Sequence, residues 1–350
     1  MSDRELQRLD FLKAAGLADA ARQPLPGDAS TRRYERLTTP AGATLMLMDQ
    51  APAAESRPCD PSWTPAQRHA AGWNAVARLS AGRIEAFAAV AEHLRHAGLS
   101  APDIVAVDAP GGLAVIEDFG DDLFARVIEG GEPEERMYIA AVQSLVVLHE
   151  TPTPDVLKGP AGDWPLLSYA EVALQGGADL CVEWLPKLDP TLSVDAAAIE
   201  EWHAAWAPIA ARGVEGASVL AHRDYHAENL IWLPHRSGFA RAGMIDFQDA
   251  VRAHPAWDLH SLLQDARRDL GHGTEAWVLD SYFRQRPTVD RAAFMQDYAA
   301  LAALNEARIL GVFARLIARD GKPRYRAFMP RMWAHLDANL KKPGLETVAA

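Results

Sequence analysis

A chain of 350 residues, 49% hydrophobic and 23% charged, has the make-up of a soluble globular protein and the length for two lobes with separate cores. Its net charge of −12 argues against a nucleic-acid or anionic-membrane surface, because both need a basic footprint. The two cysteines, Cys59 and Cys181, form no CxxC pair, which excludes a cysteine zinc site or disulfide framework and fits a reducing compartment.

The charged start Met1-Ser2-Asp3-Arg4-Glu5 leads into no apolar run, and no uncharged stretch is long enough to span a bilayer. The expected location is the cytoplasm and the expected state a monomer. There is no internal repeat and no heptad array. An amphipathic helix is predicted over 4–22, then a turn at Gly27-Asp28-Ala29-Ser30, then two meander strands over 31–37 and 43–49. Residues 52–68 hold four prolines and read as a loop or insertion, reaching to about residue 83, whose role the sequence leaves open. From Ile84 the positions Ile84, Phe87, Ala91 and Leu94 fall at helical spacing, with Gly98 and Pro102 marking the stop.

Two more strands are predicted near 103–108 and 113–118, around Pro110-Gly111-Gly112. Helices follow over 134–149, with Tyr138, Val142, Leu145 and Leu148 on one face, and near 168–184 and 195–211. A strand-loop-strand spans 219–247, and residues from Trp257 to about 340 read as helical. A strand-rich first third joined near Glu117–Asp122 to a helix-rich remainder predicts an α+β bilobal protein with a cleft between lobes, an N-lobe over 1–119 and a C-lobe over 120–350.

The chemistry is concentrated in His222-Arg223-Asp224-Tyr225-His226-Ala227-Glu228-Asn229 and the following Ile245-Asp246-Phe247. Asp224 can accept a proton from an attacking hydroxyl, while Asn229 and Asp246 can hold a magnesium ion that bridges nucleotide phosphates. Magnesium takes hard oxygen ligands from one or two side chains plus phosphates, and these two residues supply them. Taken singly, Asp224 can cap a turn, Asn229 can form an Asx-turn and His222 can be a core histidine. Together, in this order and spacing, they point to phosphoryl transfer.

These residues resemble the signature of the aminoglycoside phosphotransferase-type small-molecule kinases, with His226 as the extra histidine that separates that group from most protein kinases. Trp257-Asp258-Leu259 resembles the same family's downstream motif, whose aspartate braces the catalytic loop. Gly27-Asp28-Ala29-Ser30-Thr31-Arg32-Arg33-Tyr34, Asp246-Phe247-Gln248-Asp249-Ala250 and Leu310-Gly311-Val312-Phe313-Ala314-Arg315-Leu316 are similar to stretches of the anomeric N-acetylmuramate/N-acetylglucosamine kinases of bacterial cell-wall recycling. The resemblance implies a protein-kinase-like bilobal fold and ATP and Mg2+ as cofactors. It also implies an amino-sugar acceptor, phosphorylated at its anomeric hydroxyl to the sugar 1-phosphate. In it, His222 and His226 support the loop, and the backbone of Glu117 and Phe119, within Ile116-Glu117-Asp118-Phe119-Gly120, contacts adenine.

Two departures stand out. Kinases carry a lysine on the third strand to pair the α/β-phosphates, and here Met48 stands there; no GxGxxG loop is present either. Ser30, Arg32 and Arg33 are the nearest phosphate-binding candidates, although neighbouring strand residues point to opposite faces and at most one arginine aims easily at the cleft. For the acceptor, the resemblance points to Glu183 and Trp184, and to Arg308 on the helix with Asn305 and Glu306. The residues leave open a different small acceptor (an aminoglycoside, choline or a hydroxy amino acid), and a nucleotide-binding pseudoenzyme that serves as an interaction module.

Overall fold

The computed structural model describes residues 2–26, 32–51, 58–80 and 82–350. Ser30 and the turn that holds it lie outside the described residues, as do residues 52–57 of the proline-rich stretch. In chain order the elements begin with α1 (Asp3–Ala14), β1 (Ala21–Pro24), β2 (Arg33–Thr38), β3 (Thr44–Asp49), α2 (Pro65–Ala71), α3 (Ile84–His96), β4 (Ile104–Asp108), β5 (Leu113–Glu117) and α4 (Phe124–Glu129). Then come α5 (Glu134–Glu150), β6 (Val156–Leu157), β7 (Trp164–Pro165), α6 (Glu171–Leu188), α7 (Ala196–Glu215), β8 (Val219–Ala221), β9 (Leu230–Trp232), β10 (Ala242–Met244) and β11 (Val251–Ala253). The chain finishes with α8 (Ala256–Leu263), α9 (Thr274–Gln285), α10 (Arg291–Ala318), α11 (Met329–Leu340) and α12 (Glu346–Ala349). No helix among the described residues is long and apolar enough to cross a membrane.

The chain divides into two compact units. The first unit comprises 1–132, 154–166 and 228–250; the second comprises 133–153, 167–227 and 251–350. Residues 228–250 belong with the first because their hairpin bonds to its backbone: the Met244 N–H donates to the Ser100 carbonyl and the Trp232 N–H to that of Asp122, each at 2.7 Å.

In the first unit an antiparallel sheet runs β1-β2-β3-β5-β4. Period-2 alternation puts Leu37, Leu47, Leu113 and Val115 on one face, where they bury with Leu12 of α1. Tyr34, Met48 and Ala114, which are neighbours in register, lie on the other face. The helix expected over 4–22 stops at Ala14. Gly16 takes φ +74°, its N–H returns to the Lys13 carbonyl, and the Leu17 N–H reaches the Leu12 carbonyl at 2.8 Å. That Schellman pattern ends the helix and frees Ala21–Pro24 to join the sheet edge. The expected insertion, for its part, is structured beyond residue 58: Thr64 caps α2, and one π-helical turn spans Asn74–Arg78.

The second unit is mainly helical, with β8 and β11 as a short antiparallel pair. Its central helix, α10, packs along α6 so closely that a Cβ added to Gly311 would lie 2.3 Å from the Leu180 carbonyl carbon. The approach is backbone against helix, which only glycine permits.

Candidate active site

In the first unit the β9–β10 hairpin brings the two metal candidates together. Leu230 pairs with Met244, and just outside that pair the Ile245 N–H donates to the Asn229 carbonyl at 3.1 Å. Asn229 before β9 and Asp246 after β10 therefore sit at the same end of the hairpin. Asp246 takes φ +64°, a left-handed conformation held in place by its neighbour, because Phe247 is fully buried and stacks on Phe87 of α3 at 4.8 Å between centroids. The Asp246 side chain is 42% exposed, open enough to exchange partners. Among the described residues no group of three His, Cys, Asp or Glu forms a metal cage. A carboxamide oxygen and a carboxylate nevertheless fit magnesium, which keeps its waters and takes phosphate oxygens for the remaining positions.

A buried cation comes from the chain just before β2. The Arg32 side chain is 4% exposed, yet its guanidinium donates to Asp246 Oδ1, to Gln248 Oε1 at 2.7 Å and to the Tyr34 hydroxyl at 3.3 Å. Burial opposes its charge, but the Tyr34 oxygen, Asp246 and Asp249 more than offset that and raise its pKa. Met48 is buried at the expected lysine position, and the Tyr34 hydroxyl lies 3.4 Å from its sulfur. Arg33, by contrast, is exposed. At the strand end, the Glu117 carboxylate is paired with Arg236 at 2.7 Å and its N–H donates to the Asp103 carbonyl at 2.9 Å. The Phe119 ring lies under the Arg236 guanidinium, and its N–H has no hydrogen-bond partner among the described residues. Arg36 ties Asp118 at 2.7 Å and Asp121 at 2.9 Å, pinning the segment between them.

In the second unit the loop after β8 holds Asp224. Arg223 is strained at φ +78°, and three neighbours fix it there. Asp258, fully buried at the start of α8, accepts the His222 N–H at 2.6 Å and the Arg223 N–H at 2.8 Å. Trp257 Nε1 donates to the Arg223 carbonyl at 3.1 Å. The Arg223 guanidinium stacks over the Tyr169 ring. His222 is buried edge-on to Tyr225, while the His226 N–H turns back to the Asp224 carbonyl at 3.1 Å. Burial lowers the His226 pKa, so its ring is neutral at physiological pH.

The Asp224 side chain is 40% exposed, and Arg308 Nη2 stands 3.9 Å from its Oδ1. Partial burial works against its ionisation, but the positive charges of Arg308 and Arg223 prevail and hold its pKa below the ordinary value. Arg308 is itself aimed: Asn305 Oδ1 accepts from its Nη1 at 2.9 Å, and its stem passes Gly177, where a Cβ would meet Cδ at 3.2 Å. Glu183 and Trp184 lie elsewhere on α6, about two turns beyond Gly177. Glu183 pairs with Lys187 on the exposed side, and Trp184 sits beneath the Lys187 ammonium. The structure thus joins Asp224 with Arg308 and does not bring Glu183 or Trp184 to them.

The family model described as phosphotransferase enzyme family matches residues 21–304. The chain belongs to that family. It is 53% identical over 349 residues to the N-acetylmuramate/N-acetylglucosamine kinase of Caulobacter vibrioides, covering 100% of this chain and 96% of that relative. Two solved structures are similar in fold. One is a choline/ethanolamine kinase family protein of Mesorhizobium loti, with a TM-score of 0.57 and 16% identity over 98% of this chain and 97% of that one. The other is an ethanolamine kinase of Plasmodium vivax, with a TM-score of 0.60 and 11% identity over 95% and 85%. The protein is a phosphotransferase with a protein-kinase-like α+β fold; the strand and helix order predicts the α+β class, and the family resemblance the kinase likeness.

Several supports of this phosphotransferase's site escaped the sequence reading. His149 is fully enclosed, 3.9 Å from Asp258 and 2.8 Å from the Tyr282 hydroxyl; burial lowers its pKa, so it acts as a neutral prop beneath the brace. Arg78 and Ser80, in the expected insertion, reach Asp249. None of these carries a local signal, since each partner lies far along the chain.

Proposed function

We propose that this phosphotransferase uses ATP with magnesium to phosphorylate an amino sugar, N-acetylmuramate or N-acetylglucosamine, at its anomeric hydroxyl, and that it does so as a cytoplasmic monomer. The observation that carries the acceptor is the 53% identity, end to end, with the Caulobacter vibrioides kinase. The chemistry rests on Asp224, a carboxylate kept ionised beside Arg308.

Asp224 orients the acceptor hydroxyl and takes its proton as the oxygen bonds to the γ-phosphorus. The bond to the bridging oxygen breaks, and ADP leaves with that electron pair. A positioned carboxylate suffices, because phosphoryl transfer depends mainly on alignment and charge neutralisation. Magnesium, when bound, neutralises charge on the β- and γ-phosphates, and Asn229 and Asp246 are the residues to hold it. Arg32 takes the role of the strand-three lysine toward the phosphates, and Ser30 and Arg33 remain further candidates for phosphate contact. The backbone of Glu117 and Phe119 receives adenine. Arg308 meets the lactyl carboxylate of N-acetylmuramate. His222, His226 and Asp258 hold the loop.

Coupled ADP release over a panel of amino sugars, aminoglycosides and choline tests the reading. Turnover is expected with the two amino sugars, with phosphorus NMR locating the phosphate on C1. Turnover confined to choline or an aminoglycoside overturns the acceptor, and none at all overturns the enzyme.

A further inference from the structure

Asp249 lies three residues beyond Asp246 and is held from a part of the chain with no assigned role. Ser80 Oγ donates to its Oδ1, and Arg78 Nε donates to its Oδ2 at 3.2 Å. Between these two side chains sits Leu79, a buried residue at φ +67°. Leu79 is fixed on both sides: its N–H donates to the Asn74 carbonyl at 2.6 Å, and its carbonyl accepts the Cys59 N–H at 2.7 Å. A non-glycine residue held in the left-handed region costs about 1–3 kcal/mol and persists where the surroundings over-determine it. Here the strained turn aims both neighbours at one carboxylate.

Asp249 in turn decides the orientation of Gln248, which is 2% exposed. Gln248 Nε2 donates to Asp249 Oδ2 at 3.3 Å and to Asp246 Oδ1 at 3.2 Å. A side-chain amide has one donating and one accepting end. With Nε2 facing two carboxylates, Oε1 must face Arg32, and it accepts from Nη1 at 2.7 Å. The reversed amide would set an oxygen against two anions and an NH2 group against a guanidinium.

We propose that the segment over 58–80 is a clamp: Ser80 and Arg78, acting through Asp249 and Gln248, hold Arg32 and Asp246 in the arrangement that receives magnesium-nucleotide. Asp249, Ser80 and Arg78 are positioning residues that touch neither metal nor phosphate. The inference rests on the functional reading above, in which Arg32 and Asp246 form the phosphate end of the site. Groups of this supporting kind are worth about 10–100-fold in metal affinity.

The test is calorimetric ATP binding by the full chain, with and without magnesium, for wild type, Asp249→Asn, Ser80→Ala and Asp246→Asn. Wild type is expected to bind more tightly with magnesium and Asp246→Asn to lose that gain. Asp249→Asn should lose about 10–100-fold of the gain and Ser80→Ala a smaller part, in the same direction, with a smaller fall in metal-free ATP affinity from the loosened Arg32 and a cooperative thermal melt that reports a folded chain. If Asp249→Asn and Ser80→Ala keep the full gain while Asp246→Asn loses it, the clamp is refuted and the functional reading stands. Loss of the cooperative melt in both variants also refutes it, because the segment would then be a general scaffold. Wild type showing no magnesium gain overturns the functional reading, and the clamp with it.

Discussion

The Arg32 guanidinium and the Asp246 carboxylate are hydrogen-bonded to each other across 214 residues of sequence, one nearly enclosed and the other open to solvent. The pair sets a strong cation beside the proposed metal ligand, where kinases use a lysine from strand three, and Met48 stands at the lysine's place.

Removing the cation should therefore be costly. Arg32→Met is expected to lower kcat/KM for ATP by about 10²–10³-fold, the usual worth of one preorganised charge donor. Adding Met48→Lys to that variant should recover part of the loss by returning a cation to strand three. Steady-state kinetics at fixed sugar decide it. A fully active Arg32→Met would move the role to another group.

Asp224→Asn keeps shape and hydrogen-bonding capacity but removes the charge and the basicity. The expected result is a fall in kcat of about 10²–10⁴-fold with magnesium-ATP affinity unchanged. Calorimetry and coupled ADP release, run side by side, separate a base from a structural aspartate, whose loss would also lower the Tm. Retained turnover would end the assignment.

The Arg308–Asp224 contact makes a prediction in pH. Because Arg308 holds the Asp224 carboxyl below its ordinary pKa, the acid limb of kcat should lie below the usual carboxylate range. Arg308→Gln removes that charge, so the limb should move to higher pH. If Arg308 also reads the acceptor's carboxylate, N-acetylmuramate should weaken about thirtyfold more than N-acetylglucosamine, the worth of a charge-assisted contact. An unmoved acid limb and equal effects on both sugars would make Arg308 structural.

Glu306 of α10 gives a stability prediction separate from catalysis. It is fully buried, accepting from Asn339 Nδ2 at 2.9 and 3.1 Å, and burial raises its pKa well above 4.5. Its folded state holds the proton more tightly than the unfolded chain, so stability falls as pH rises from about 4.5 toward the raised value. Glu306→Gln does not titrate. Its Tm relative to wild type should accordingly climb with pH over that window, read by thermal melts at pH 5 and pH 8. A constant difference would show that Glu306 does not titrate there.

Pattern within the sequence sufficed for what depends on short spacing. The Asp224–Asn229 interval and the Asp246-Phe247 pair after an apolar run follow from residue type and order, and the Asp258 brace from the family resemblance. Period-2 alternation placed four of the five strands of the sheet, and helical periodicity placed α3 and α5. The edge strand at Ala21–Pro24 was lost in an overlong helix, because an amphipathic pattern does not show where a Schellman turn at Gly16 will cut it.

What the chain's own pattern decides ends where partners become distant. Strand alternation says that Arg32 and Arg33 face opposite ways, but only the packed sheet puts Arg32 inside and Arg33 in solvent. The choice of Arg308 over Glu183 and Trp184 beside Asp224 was likewise made by the close approach of α6 and α10 at Gly177 and Gly311. Nothing in the stretch after the prolines announces that Ser80 and Arg78 will meet Asp249, 169 and 171 residues away. Such contacts arise because burial leaves each charge with few possible partners, and the fold alone determines which one is within reach.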